Sequence, residues 1–365
     1  MNELLSARKS SAIQSCIHSL KSELIKTLRV HSLFIAMVFF YAGATLIIAI
    51  MYDAVDKLSL SLYSKTLCLM TTLFLIVYFI GNAFYVMLFV RPDRPIGYIL
   101  NDLKTNRMTV ERLLNALPIF LLMPVFISAF TSFKTMIPMI NPFSWDATFA
   151  QWDTIVHGGA QPWQLLHPVF GYPLLTSTIN FFYNLWFFVM FGFLFWQTFS
   201  LRNARLRMQF LLTYTLSWIL LGTFAAIMFS SAGPCYYGRL VEGQDIYRPL
   251  MEYLSSAKES YPVWALGAQE MLWQAYKNGG VGQVTGISAM PSMHVSVVFL
   301  FALVGWRTHR IVGIGFSFFA VLIMIGCVHL GWHYAIDGYV AIVCTWLLWW
   351  FVGRLLGRLG VLINV

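Results

Sequence analysis

The sequence predicts an all-α, polytopic membrane protein: a bundle of about eight transmembrane helices with an outer-face amphipathic helix and a partly helical outer loop. Three observations carry this expectation. The 365 residues are 59% hydrophobic and only 11% charged, with a mean hydropathy of +0.70, whereas soluble domains carry about 25% charged residues. The apolar residues gather into eight runs, roughly 32–52, 67–90, 113–133, 173–199, 210–231, 289–306, 311–328 and 334–353, each near the ~20 residues that a span requires. Lysine and arginine, finally, concentrate in alternate connections.

Taken in order, the chain opens with a polar, basic segment, 1–31. It is too long for the charged head of a cleavable signal peptide and is expected to remain as a cytoplasmic N-terminal segment. Within it Ile13, Ile17, Leu20, Leu24 and Leu28 recur at helical spacing beside Lys21, Lys26 and Arg29. That pattern fits a basic amphipathic helix on the inner leaflet and equally fits ordinary packing. Residues 32–133 hold three accessory spans, with Arg91-Pro92-Asp93-Arg94-Pro95 as a stiff turn after the second. Residues 134–171 form an outer interfacial segment. There Trp145, Phe149, Trp152 and Val156 repeat at helical spacing up to Gly158-Gly159, as expected of an interfacial helix rich in tryptophan. Asp153 and His157 lie four apart on it and are expected to be solvated. Residues 172–365 form the core, including a long loop at 232–288 whose residues 263–277 read as helix and whose Gly279-Gly280-Val281-Gly282 reads as a hinge. This loop is either a lid or an inert cap. No internal repeat or low-complexity tract is present, and none of the five cysteines is forced into a pair, so a disulfide framework is not expected.

With eight spans and a cytoplasmic N-terminus, the cytoplasmic pieces hold Arg8, Lys9, Lys21, Lys26 and Arg29, then Arg91, Arg94, Lys104, Arg107 and Arg112. They continue with Arg202, Arg205 and Arg207, then Arg307 and Arg310, then Arg354 and Arg358, which makes seventeen of the 24 basic residues. The longer outer pieces hold seven. This is the positive-inside bias, and it accounts for the net charge of +9 without nucleic acid, since no basic stripe with interleaved aromatics stands outside the membrane. The compact loops point to a bacterial inner membrane with cytoplasmic termini and a periplasm-facing site.

Two clusters carry chemistry. Pro291-Ser292-Met293-His294 and His333-Tyr334-Ala335-Ile336-Asp337 each stand at the start of an apolar run, one complete run apart. On the topology above, both histidines therefore return to the outer face. His333 and Asp337 at i and i+4 share one helix face. The aspartate either bonds one ring nitrogen through a neighbouring turn or orients the ring by close contact, and both fix the tautomer and leave the other nitrogen free to attack. His294 opposite can protonate a leaving oxygen. Ser292 and the N–H groups after Pro291 begin a helix that suits phosphate, and Arg239 offers a bidentate contact. Tyr236, Tyr237 and Arg248 are further candidates for substrate contact. Intramembrane ionisable residues are functional by default.

These two clusters resemble the last two motifs of the type 2 phosphatidic acid phosphatase superfamily. The resemblance implies that His333 is a nucleophile forming a phosphohistidine, that Asp337 orients it, that His294 is the general acid, that Ser292 contacts phosphate, and that no metal or cofactor takes part. The chain departs from the phosphatase branch. Met293 stands where that branch has Gly, Gly326-Cys327 stand where it has Ser-Arg, and Gly233-Pro234-Cys235-Tyr236-Tyr237-Gly238-Arg239 replaces its Lys-x6-Arg-Pro motif. These features resemble the branch containing inositol phosphorylceramide synthase. The resemblance spans about 230–345, with looser similarity at 145–168. It implies a phospholipid donor and an alcohol or lipid acceptor as partners, or water for a lipid phosphatase. Two other classes stay open. His329, His333 and Asp337 in an H-x3-H-x3-D array are placed to ligate a metal if the helix is continuous, with His329 otherwise a helix-end residue facing the interface. Histidines relaying protons would fit a transporter, although Gly222 and Gly313-Ile314-Gly315 are few helix breaks for one.

Overall fold

In the computed structural model, which describes residues 2–280, 282–283 and 285–360, the chain is a helical bundle with no strand among those residues. Its helices are α1 (Asn2–Val30), α2 (Ser32–Met51), α3 (Ser64–Val90), α4 (Pro95–Asp102), α5 (Val110–Ile140), α6 (Asp146–Val156), α7 (Pro162–Phe170) and α8 (Pro173–Phe199). They continue with α9 (Ala204–Met228), α10 (Arg248–Ser260), α11 (Trp264–Lys277), α12 (Met293–Thr308), α13 (Arg310–His329) and α14 (Ala335–Arg358).

Seven of them, α2, α3, α5, α8, α9, α13 and α14, are long and apolar enough to cross a membrane. The eighth expected span is shorter than its apolar run. Of 289–306, the first four residues are not helical and the helix begins at Met293, giving α12 16 residues, about 24 Å against a hydrocarbon core of ~30 Å. Ser292 caps α12, its Oγ accepting from Val295 N at 3.5 Å. α9 begins earlier than its apolar run and takes in Arg205 and Arg207. Arg207 is buried there because its guanidinium is occupied: it donates to the Ser200 carbonyl, to Asn115 Oδ1 and to His31 Nε2. This node ties the junction of α1 and α2 to α5 and α9.

α12 and α13 form a hairpin across a single connecting residue, His309, whose Nδ1 accepts from Ile311 N. The two helices approach so closely that a Cβ on Gly305 would stand 3.0 Å from the backbone of Gly313. α9 is the most enclosed span and α3 the least. In α1, Ile17, Leu20, Leu24 and Leu28 remain exposed, an apolar face of the kind that lies on a membrane surface.

On α6 the buried residues are Asp146, Phe149, Ala150 and Asp153, the i, i+3, i+4, i+7 stripe of a docked helix. The expectation that Asp153 is solvated is therefore wrong. The carboxylate is 2% exposed because it faces the same way as Phe149 and finds donors in the core.

Candidate active site

The loop from Leu330 to Tyr334 carries His333 between α13 and α14. α13 ends at His329, and Gly331 follows with φ +73°, the left-handed conformation that glycine supplies at a helix C-terminus. The Cys327 carbonyl then accepts from both Trp332 N and His333 N at 3.0 Å. His333 consequently precedes α14 and lies outside it. It still meets Asp337 because α14 starts at once, with Tyr334 as its cap.

His333 Nδ1 donates to the Ala289 carbonyl at 2.8 Å and lies 3.3 Å from Asp337 Oδ2. The same Asp337 oxygen accepts from Tyr334 N at 3.0 Å. A proton held on Nδ1 by two acceptors leaves the lone pair on Nε2. Burial pushes the His333 imidazole down to about 3; the bond to Ala289 resists this and the charge of Lys134 adds to it. The ring is thus neutral at pH 7, with Nε2 able to attack.

His294, in the first turn of α12, faces His333 with ring centroids 6.1 Å apart. It is wedged between two aromatic rings of α8, stacked on Tyr183 at 4.6 Å and against Trp186 at 4.2 Å, while Trp186 Nε1 donates to the His294 carbonyl. Ser292 N donates to the Asp337 carbonyl at 3.1 Å, which pins the start of α12 to α14. The four residues His333, Asp337, His294 and Ser292 therefore meet at one helix mouth. A family model of the PAP2 superfamily matches residues 147–351, more than half of the chain and all of this constellation. The chain belongs to the PAP2 superfamily. Membership makes it a phosphatase-type enzyme of phosphoryl transfer. Neither a curated protein nor a solved structure matches it.

The PAP2 site is held in place from outside by two carboxylates of α6. Asp153 accepts from Ala335 N at 2.8 Å and Ile336 N at 3.0 Å, so the open N–H groups of α14 are capped by a residue 182 positions earlier in the chain. Asp146 accepts from Ala232 N and Gly233 N and from the Tyr334 hydroxyl at 2.9 Å. Burial pushes both carboxyls up, and the backbone donors oppose it. Gly233 has φ +106°, and a Cβ there would stand 2.5 Å from the Trp332 carbonyl. The glycine is required by this close approach as well as by its dihedral. Ala289, whose carbonyl holds His333, is itself fixed by donating to the Ser231 carbonyl at 2.9 Å. Truncating Asp153 should act through this scaffold. We expect Asp153→Ala to cost about 1–3 kcal/mol of stability and to lower kcat by displacing His333. Asp153→Asn should recover only part of both, since Asn Oδ1 keeps one of the two bonds while Nδ2, a donor, faces the other N–H. Thermal unfolding and turnover of the two variants, measured side by side, check this; equal losses in both would refute a capping role.

Lys134, near the end of α5, lies within electrostatic reach of both imidazoles. Gly286 packs against its Cβ and Cγ, at 3.1 and 3.0 Å for a Cβ placed there. Among the described residues no carboxylate pairs with it. Trp332 Nε1 is buried without a partner.

Other expected contacts lie elsewhere. Arg239 donates to Glu270 at 2.8 Å and stacks over Trp273 at 5.0 Å, so its guanidinium is engaged on α11 and not with the histidine pair. Tyr236 is buried, donating to the Gln269 carbonyl and stacked on Trp273. Tyr237 packs on Tyr247, and Arg248 is exposed and paired with Glu252. Ser292 is fully buried, its Oγ capping α12 and 3.4 Å from Cys327 Sγ. His329 is also fully buried and does not face an interface; its Nε2 bonds Thr176 Oγ1 at 2.9 Å. Because the helix breaks at Gly331, His329 and His333 bond to different elements, and no three His, Cys, Asp or Glu side chains among the described residues are grouped to hold a metal ion.

Proposed function

We propose that the protein is a lipid phosphotransferase working through a phosphohistidine. His333 Nε2 attacks the phosphorus of a phospholipid that arrives laterally from the membrane. The P–N bond forms as the P–O bond to the leaving group breaks, and His294 delivers a proton to the departing oxygen. An alcohol then attacks the phosphohistidine, the P–N bond breaks, and His294 takes the alcohol's proton. Asp337 and Ala289 hold the tautomer, Lys134 balances the phosphoryl charge, Trp332 Nε1 donates to a phosphoryl oxygen, and Ser292 holds the start of α12 against Asp337. The observation that carries this is the tautomer: Nδ1–H is held by Ala289 and Asp337, which leaves the lone pair on Nε2, and the His294 ring lies 6.1 Å away between centroids. The aromatic rings of Tyr183 and Trp186 against His294, with Trp332 stacked on Tyr183, support an alcohol or lipid acceptor, as in the branch containing inositol phosphorylceramide synthase. With water as acceptor the same steps give a lipid phosphatase. The basic loops support a site on the face away from the cytoplasm, and the compact loops support a bacterial inner membrane, in which that face is the periplasm.

The deciding experiment incubates purified protein in detergent with labelled phospholipids and lipid phosphates, with and without chelator. A new labelled lipid that needs His333 and survives chelator supports the transferase. Free phosphate alone would make it a phosphatase, and loss of all product with chelator would overturn the ion-free mechanism.

A pH dependence follows. A His333 held near 3 keeps its Nε2 lone pair until the medium is strongly acidic. With a phosphodiester donor, which does not itself titrate there, the acid limb of kcat/KM should fall below pH ~5. An acid limb near the ordinary imidazole value of 6.5 would show that the ring is not held neutral.

A further inference from the structure

A second cavity lies far from the histidine pair. It has a volume of about 850 Å³ and opens between α3, α5 and α8, a size typical of small-ligand sites. Its inner wall is Phe74, Leu75, Phe195 and Trp196, and its mouth carries Arg107, Arg112 and Arg202. Arg112 and Lys134 stand 22 residues apart on the single helix α5, about 33 Å. The cavity mouth and the histidine pair are therefore at opposite membrane faces, and the cavity is no part of the phosphoryl-transfer site.

The cavity exists because α3 barely packs against the bundle: 6% of its apolar window is buried, against 44% for α8. Inside a bilayer such a gap must be filled by something apolar, and the aromatic and aliphatic walls suit an acyl chain. The mouth selects the other end. Asp102 pairs with Arg107 at 3.0 Å and also accepts from Asn106 Nδ2 at 2.8 Å. Arg112 donates to the Phe199 carbonyl through Nη1 while its Nε is buried with no partner. Arg202 is exposed and has no partner among the described residues. Three guanidiniums against one carboxylate, with one buried donor unsatisfied, form a receptor for phosphate.

We infer that this cavity holds an anionic phospholipid of the leaflet on the arginine side, its phosphate on Arg112 and Arg202 and its chain between α3 and α8. Bound there, it fastens α3 to the core.

The test is lipid-dependent thermal stability of the whole protein in detergent, with phosphatidylglycerol and phosphatidylcholine as probes, together with native mass spectrometry for lipid that co-purifies. Phosphatidylglycerol should raise Tm in a saturable way, phosphatidylcholine should not, and the apparent affinity should fall about tenfold or more in Arg112→Gln/Arg202→Gln. Arg202→Gln alone, which removes no internal bond, should give a smaller fall in the same direction if the double variant does not fold. His333→Ala should keep the full shift, which separates this site from the catalytic one. Equal stabilisation by both lipids, an unchanged affinity in the arginine variants, or neither a shift nor a retained anionic lipid would each overturn the inference.

Discussion

His333→Ala should lower turnover by about 10⁴-fold or more while the protein still folds. No other group described at this mouth combines a fixed tautomer with an open nitrogen, so the loss of Nε2 leaves no substitute nucleophile. Some stability is also lost, because the buried Ala289 carbonyl loses its donor, at about 1–3 kcal/mol. His333→Asn, which restores a donor without a nucleophile, separates the two effects: it should recover part of the stability and none of the turnover. A donor labelled in its transferable phosphorus should label the wild type covalently and neither variant. His294→Gln should behave differently. It removes the proton donor but not the nucleophile, so slow labelling should persist, and a donor with an acidic phenol as leaving group, which departs without protonation, should restore most of the rate. Turnover by His333→Ala close to wild type would end the mechanism; a His294→Gln defect that no leaving group relieves would remove His294 as acid.

The spans were legible because the bilayer demands long apolar runs, and that demand is written in composition. The expected helix at 263–277 and the observed Trp264–Lys277 agree for a related reason, since a Gly-rich stretch and Pro262 bracket it. What composition could not show is where an apolar run stops being helix. The run at 289–306 begins outside the helix because Ser292 caps α12 and its N–H reaches the Asp337 carbonyl. Likewise α9 admits Arg207 because three acceptors wait for it on other segments.

The site shows the same division. His294, Ser292, His333 and Asp337 stand out in sequence because charge and imidazole are rare in apolar surroundings. Asp146 and Asp153 were hidden by sitting in an ordinary amphipathic helix. The signal is present, since the two lie seven apart on the Phe149 face, but a carboxylate four residues from a histidine on an interfacial helix reads as a solvated pair. His157 in fact bonds the Asp153 carbonyl and the Tyr339 hydroxyl. Ala289 was invisible because it contributes only a carbonyl. Arg239 reads as a phosphate contact because a guanidinium offers a bidentate fork, yet Glu270 and Trp273, about thirty residues on, claim it. Lys134 was passed over because one lysine just beyond an apolar run reads as a span boundary.

Lys134→Met should separate function from stability. A half-buried lysine at a helix mouth, with no carboxylate partner among the described residues, is held against desolvation, and replacing it by an apolar side chain of similar length removes that cost. Melting temperature should therefore hold or rise. Phosphoryl transfer should suffer, because the transferred group carries negative charge and a positive group placed towards it is worth about 10²–10³ in kcat. Lys134→Arg should keep much of the activity through the retained charge, and vanadate, as a phosphoryl mimic, should lose affinity for Lys134→Met but not for Arg239→Ala. The contrast with Arg239 is the sharp part of the prediction. Its pair with Glu270 is half exposed, a setting in which ion pairs contribute about 0–1 kcal/mol, so Arg239→Ala should leave both Tm and turnover nearly unchanged. Loss of turnover in Arg239→Ala with none in Lys134→Met would reassign the phosphate contact to the loop after Gly233. A Lys134→Met protein that is inactive and also less stable would make Lys134 a structural residue. Inactive with stability kept is the result that identifies a charge retained for the substrate and not for the fold.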